Sequence, residues 1–81
     1  MNFQELQRRF VEHLRERVRN GELTERGLAR MTGISQPHVH NVLKGKRFFS
    51  IETADHILFR MRLDLLDFLE PAELADWLRR R

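Results

Sequence analysis

Leu23–Arg47, with the sequence LTERGLARMTGISQPHVHNVLKGKR, carries the strongest structural signal in this chain of 81 residues. Two short segments with the helical spacing of apolar residues are separated there by Gly33. Glycine adopts a positive φ without steric penalty, which suits a tight turn between helices. Small and apolar residues fall where two steeply crossing helices must touch, at Leu28, Ala29, Gly33, Ile34, Val39 and Val42. The stretch therefore predicts a helix-turn-helix.

The remaining sequence continues the helical pattern, and no segment alternates between apolar and polar residues as a strand does. The predicted fold class is therefore all-α: a single domain over 1–81, a compact bundle of five short helices with a short C-terminal helix. Capping residues and glycines set the expected boundaries. The predicted helices span about 2–20, 25–32, 36 to 43 or 44, 51–61, a short segment that begins with a capping box at Asp64 and Asp67, and 70–81.

The apolar stripes also predict which side chains are buried in the C-terminal half. The expected inward-facing residues of the fourth helix are Ile51, Ala54, Ile57, Leu58 and Met61. Those of the fifth are Leu65 and Phe68, and the last helix has an apolar face of Leu74, Trp77 and Leu78.

Charge is unevenly distributed along the chain, whose net charge is +3. Residues 1–49 contain ten basic and five acidic side chains, whereas residues 50–78 contain two basic and seven acidic ones. A basic half is typical of proteins that bind polyanions. A solvated surface with Glu–Arg pairs on the first helix gives the same count, so charge alone leaves both interpretations open.

Several bulk features exclude other classes of protein. The chain has no cysteine, so it has neither disulfides nor a cysteine-based zinc site. Its N-terminus is too charged for a secretory signal, and no apolar run approaches about 18 residues. We therefore expect a soluble, cytoplasmic protein, associated with the nucleoid if it binds DNA.

The run GISQPHVHNVLKGKR, followed by SIETADHILFRMRLDLLDFL, resembles the Cro/C1-type helix-turn-helix domain of phage repressors, bacterial regulators and antitoxins. The resemblance covers about residues 18–69 without a gap, and the first helix more loosely. It implies DNA binding, with the third helix in the major groove. By matching position, the resemblance implies base reading by Gln36, Pro37 and Asn41, and phosphate contacts by Lys44, Lys46 and Arg47.

The chemistry of these side chains supports the same expectation. The amides of Gln36 and Asn41 can donate and accept together, which suits a bidentate contact to adenine. They lie about 140° apart around the helix axis, so they border the groove at different base pairs. His40 is expected to join them, and Ser35, at the positive end of the helix, is expected to contact a phosphate. The alternative is that Gln36 and Asn41 are ordinary solvated side chains without a role in binding.

Four residues depart from the family pattern. Glu25 stands where many members have Gln, and DNA would repel its carboxylate. Thr32 occupies a position that is usually apolar, where its methyl group can substitute. Pro37 lacks an N–H and offers a base only apolar contact. Arg62 lies at a helix end where Gly is common, and a positive φ there would cost about 1 kcal/mol.

Three aromatic residues are candidate dimer contacts: Phe48, Phe49 and Trp77. Of the adjacent pair, either one packs in the core and the other covers it, or they contact a second copy or the sugar-phosphate edge of DNA. Trp77 either folds back on the first and fifth helices or forms a two-fold contact.

Nothing in the sequence favours an enzyme, a metal site or a cofactor. His38 and His40 are two positions apart on a helix and point to different sides, and the other histidines, His13 and His56, add no i,i+4 pair. No glycine-rich phosphate loop follows a strand.

The sequence therefore predicts a sequence-specific DNA-binding protein, a repressor or antitoxin-like regulator that binds a pseudo-palindromic operator as a homodimer. One alternative is a protein-interaction module that keeps the fold without reading DNA. Another is the DNA-binding domain of a longer regulator.

Overall fold

The computed structural model describes residues 2–80, except for the side chain of Trp77, and this part of the chain is all-helical. Five α-helices and one 3-10 turn follow each other along the chain. The helices are α1 (Phe3–Arg19), α2 (Glu25–Thr32), α3 (Gln36–Leu43), α4 (Ile51–Met61) and α5 (Pro71–Arg79), and the 3-10 turn is Leu65–Phe68. The predicted all-α class is confirmed, and the predicted fifth helix is this single 3-10 turn.

Side-chain caps fix the beginnings of the first four helices. The hydroxyls of Thr24, Ser35 and Ser50 accept backbone N–H bonds of 2.9, 3.2 and 3.1 Å at the starts of α2, α3 and α4. Asn2 caps α1 in the same way, at 2.8 Å. α2 ends where Gly33 takes a φ of 76°, so the chain can turn directly into α3. The predicted beginnings of these helices are confirmed. They could be predicted because a cap involves only residues within one turn.

The core lies where α1, α2, α3 and α4 meet. The most deeply buried side chains are Leu14, Leu28, Val39, Val42 and Ile57. Ala29 and Ile34 are partly buried against this cluster. The six residues that predicted the helix-turn-helix thus have the packing and turn roles expected of them.

Three apolar side chains are more exposed than the sequence predicts. Ile51, Leu65 and Leu78 are 61%, 44% and 53% exposed, respectively. Ile51 is the first residue of α4, and it lies with Leu65 beside an open groove next to α1. The 3-10 turn buries only Phe68, whose ring centroid lies 5.7 Å from that of Phe10. A turn of four residues covers too little of α1 to enclose Leu65 as well.

Arg62 ends α4 in the left-handed region, with φ 56° and ψ 42°. Its N–H and that of Leu63 close the helix onto carbonyls of the last turn, with Leu63 N 2.9 Å from the Leu58 oxygen. The conformation expected for glycine is therefore adopted by an arginine, at a cost of about 1 kcal/mol.

Arg9 ties α1 to the C-terminal part of the chain. Its guanidinium donates to the Phe68 carbonyl at 2.9 Å and binds the Glu73 carboxylate through both terminal nitrogens. Glu73 also accepts from the Glu70 N–H at 3.0 Å. The hydrogen bonds from Arg9, together with the one from the Glu70 backbone, lower the pKa of Glu73 to about 2. No described side chain of α5 is fully buried, and this polar contact links α5 to α1.

Within residues 2–80, no helix combines the length and the apolar character needed to cross a membrane.

We expect Leu28→Ala to lower the free energy of unfolding by about 2–5 kcal/mol, because it leaves a cavity in the core. Leu78→Ala removes the same atoms from an exposed position and should change stability by less than about 0.5 kcal/mol. Urea unfolding followed by circular dichroism measures both values. Similar losses in the two variants would contradict the described core.

We expect Glu73→Gln to lower the thermal midpoint at neutral pH, because it removes the carboxylate that Arg9 binds. The pKa of Glu73 is lower in the folded protein than the ordinary value of 4.5. Its stabilising contribution is therefore complete above about pH 4.5 and is lost as the pH falls towards about 2. The difference between wild type and variant should shrink across that window. Glu12→Gln, which breaks the exposed pair with Arg15, is the control.

Candidate nucleic-acid interface

One side of α3 is buried and the other is open. Val39, Val42 and Leu43 face the core. At about 100° per residue, these three fall within one arc of the helix. Pro37, Asn41 and Lys44 lie on the opposite arc, and His40 and Gln36 lie between the two arcs on the side of Leu43. Gln36, Pro37, His40 and Lys44 are exposed, and Asn41 is partly exposed. We call the surface formed by Gln36, Pro37, His40 and Asn41 the outer face of α3.

A basic segment continues from the C-terminal end of α3. Lys44, Lys46 and Arg47 are exposed and form no salt bridge within residues 2–80. Gly45 takes a φ of 80°, and the Lys46 N–H donates to the Asn41 carbonyl at 2.9 Å. This turn holds the backbone beneath the three cations against the end of the helix. The structure thus brings the three cations next to the outer face. Because no described acidic side chain pairs with them, they are available to an external anion.

The N-terminal end of α3 has fewer free donors than a typical helix start. The Ser35 hydroxyl oxygen already accepts from the His38 N–H, and Pro37 has no N–H. The hydroxyl hydrogen of Ser35 remains free to donate. A phosphate at this end can therefore be contacted by the Ser35 hydroxyl as a donor.

Glu25 and His40 form a contact that sequence reasoning missed. The Nδ1 atom of His40 lies 3.1 and 3.3 Å from the two carboxylate oxygens of Glu25, which begins α2. Fifteen positions separate the two residues along the chain, so only the crossing of α2 and α3 brings them together. Glu25 is therefore directed at a side chain of the outer face.

Three further hydrogen bonds hold the turn between α2 and α3. The Thr32 hydroxyl donates to the Leu28 carbonyl at 2.8 Å and accepts from the Ile34 N–H at 3.3 Å. From α4, the Nε2 atom of His56 lies 2.9 Å from the Met31 carbonyl oxygen, to which it donates. The hydroxyl of Thr32 thus has a structural role, whereas the sequence analysis considered only its methyl group. The pattern of apolar residues indicated neither this role of Thr32 nor that of His56.

The adjacent phenylalanines separate into an inner and an outer residue. Phe49 is 4% exposed, with its ring centroid 6.3 Å from that of Phe10, so its side chain is removed from the candidates for a dimer contact. Phe48 is 60% exposed and borders a cleft of about 450 Å³ between α1 and the end of α3. Trp77, the third candidate, has its side chain outside the described part of the structure.

The histidines are dispersed over the molecule. His13 is bound by Arg17 on α1, and His56 and His40 have the separate partners described above. In residues 2–80, no three side chains of His, Asp or Glu come together in a way that could hold a metal ion.

Comparisons of the chain with protein-family models, with curated proteins and with solved structures find no match. The outer face of α3, the basic segment and their neighbours are therefore the features of the molecule that bear on its function.

We expect Thr32→Val to lower the free energy of unfolding by about 1–2 kcal/mol, because a side chain of similar shape leaves the Ile34 N–H without its partner. The Ile34 amide should also exchange its hydrogen faster. Thr53→Val, which changes an exposed cap contact on α4, is the matched control. Unchanged exchange at Ile34 would contradict the role of Thr32 in the turn.

Proposed function

We propose that the protein binds double-stranded DNA in a sequence-specific manner, with the outer face of α3 in the major groove. In this proposal the protein is a repressor or antitoxin-like regulator that binds a pseudo-palindromic site as a dimer. The observation that carries the proposal is the arrangement of α3, whose polar outer face is open to solvent next to three cations that form no salt bridge among residues 2–80. The resemblance to Cro/C1-type domains supports the same function.

The outer face suits base edges. The major groove of B-DNA is about 12 Å wide and admits one α-helix. Gln36 and Asn41 can each donate to and accept from adenine, and the ring of Pro37 can contact a thymine methyl group. His40 lies between them with its Nε2 atom available. These side chains supply the sequence information.

The basic segment suits the phosphate backbone. Lys44, Lys46 and Arg47 lie at the end of α3, where a helix in the groove approaches a DNA strand. The Ser35 hydroxyl can donate to a phosphate at the opposite end of the helix. Such contacts fix the position of α3 in the groove and supply affinity without sequence preference.

A dimer follows from the small size of this reading surface. One helix of eight residues contacts only a few base pairs, whereas two copies read two half-sites about one helical turn apart. Phe48 remains a candidate contact between copies because its ring is exposed beside the basic segment.

A protein-interaction module is the second candidate function. The observation that favours it is an apolar surface beside the groove between α1 and α4, formed by Phe3, Ile51 and Leu65. Contiguous exposed apolar residues often mark contacts between proteins. Binding of a protein through this surface would leave the outer face of α3 without a role.

We expect wild-type protein to bind random duplex DNA with an affinity that falls steeply as salt rises, because binding releases counterions from the phosphates. Lys46→Gln and Arg47→Gln should each reduce the slope of log K against log salt by about 1. Fluorescence anisotropy over a range of salt concentrations measures the slope. No binding at about 50 mM salt would favour the interaction module instead.

We expect Gln36→Ala and Asn41→Ala each to lose about 1–3 kcal/mol of discrimination between the selected site and random duplex, while non-specific binding persists. The site is obtained by selection of bound sequences from a random duplex pool. Gln4→Ala, which changes an exposed glutamine on α1, should keep full discrimination. Unchanged discrimination in both α3 variants would reject their assignment as base readers.

A further inference from the structure

We propose that Glu25 is a positioning residue that sets which hydrogen-bonding group His40 presents to a base, so that base preference beside His40 changes with pH. The inference rests on the proposed function, because it concerns the same outer face of α3. It starts from the contact of the Glu25 carboxylate with Nδ1 of His40, at 3.1 and 3.3 Å.

An ionised carboxylate has only acceptors, so the contact requires a hydrogen on Nδ1 of His40. In the neutral imidazole, the hydrogen then lies on Nδ1, and Nε2 carries a lone pair. Glu25 thus selects one of the two tautomers. A neutral His40 held in this way can accept a hydrogen bond from DNA and cannot donate one through its ring nitrogens.

The bases differ in what they offer to such an acceptor. In the major groove, only the amino groups of adenine and cytosine donate, whereas guanine N7 and O6 and thymine O4 accept. A neutral His40 therefore favours adenine or cytosine. A protonated imidazole donates from both nitrogens, so it favours guanine or thymine while it still binds Glu25 through Nδ1.

Imidazole is the side chain that ordinarily changes charge between pH 5 and 8. Around this pair, Arg15 and Arg19 of α1 and Lys44 at the end of α3 border the same cleft as Glu25. Arginine and lysine side chains stay charged throughout that pH range. The other histidine of α3, His38, lies two positions from His40 and points to a different side of the helix. His40 is therefore the group on the outer face whose hydrogen-bonding character changes.

The experiment is selection from a random duplex pool at about pH 8 and about pH 5.5, at one salt concentration. Wild-type protein should select adenine or cytosine at one position at the higher pH, and guanine or thymine there at the lower pH. We expect a change of about tenfold in relative occupancy. Thermal unfolding at both pH values establishes that each protein remains folded.

Three variants separate the roles of the two residues. His40→Gln should show the same preference at both pH values, because an amide does not titrate there. Glu25→Gln should show a weak preference at the higher pH, because an amide can donate or accept and no longer fixes the tautomer. His38→Gln is the matched control on the same helix and should keep the full change.

The outcomes distinguish this inference from the function on which it rests. Specific selection by wild-type protein with the same base at both pH values overturns the inference and leaves the proposed function intact. A change that persists in His40→Gln, or a full preference in Glu25→Gln, also overturns it. If wild-type protein shows no salt-sensitive binding to duplex DNA, the proposed function itself is overturned.

Discussion

The packing of the inner side of α3 is the constraint on which the rest of the structure depends. Val39 and Val42 are almost completely buried with Leu14 and Leu28, so α3 cannot rotate about its axis without opening the core. Because an α-helix has fixed angular spacing, burial of this side determines which residues form the outer face. The exposure of the base-reading candidates is therefore a consequence of apolar packing. A change in the core can thus alter a polar surface without any substitution on that surface.

Local features of the fold were predictable from the sequence, and features that depend on coverage by distant elements were not. The caps at Thr24, Ser35 and Ser50 involve atoms within one turn, and residue type alone indicates them. Helical periodicity identified Ile57 correctly but also assigned Ile51 to the core. Periodicity gives the direction of a side chain relative to its own helix, whereas its burial depends on what lies above it. Beside Ile51, the structure has only the edge of a groove.

The candidate site shows the same division. The exposure of the outer face and of the basic segment follows from helix geometry and the turn at Gly45. The pairing of Glu25 with His40 required the crossing of two helices, which no sequence spacing reveals. Glu25 also illustrates how one contact changes the meaning of a residue. Considered alone, its carboxylate is a negative charge that would repel a DNA strand, whereas in the structure it is the hydrogen-bond partner of a side chain on the outer face.

The burial of Phe49 has a further consequence for the basic segment. One end of the connection between α3 and α4 is held by the Lys46–Asn41 hydrogen bond, and the other by Phe49 and the Ser50 cap. Ordering a flexible backbone costs about 1–2 kcal/mol of conformational entropy per residue. Here that ordering accompanies folding, before any partner arrives. The backbone of Lys46 and Arg47 is therefore preorganised, and binding of an anion there would need to immobilise little more than their side chains.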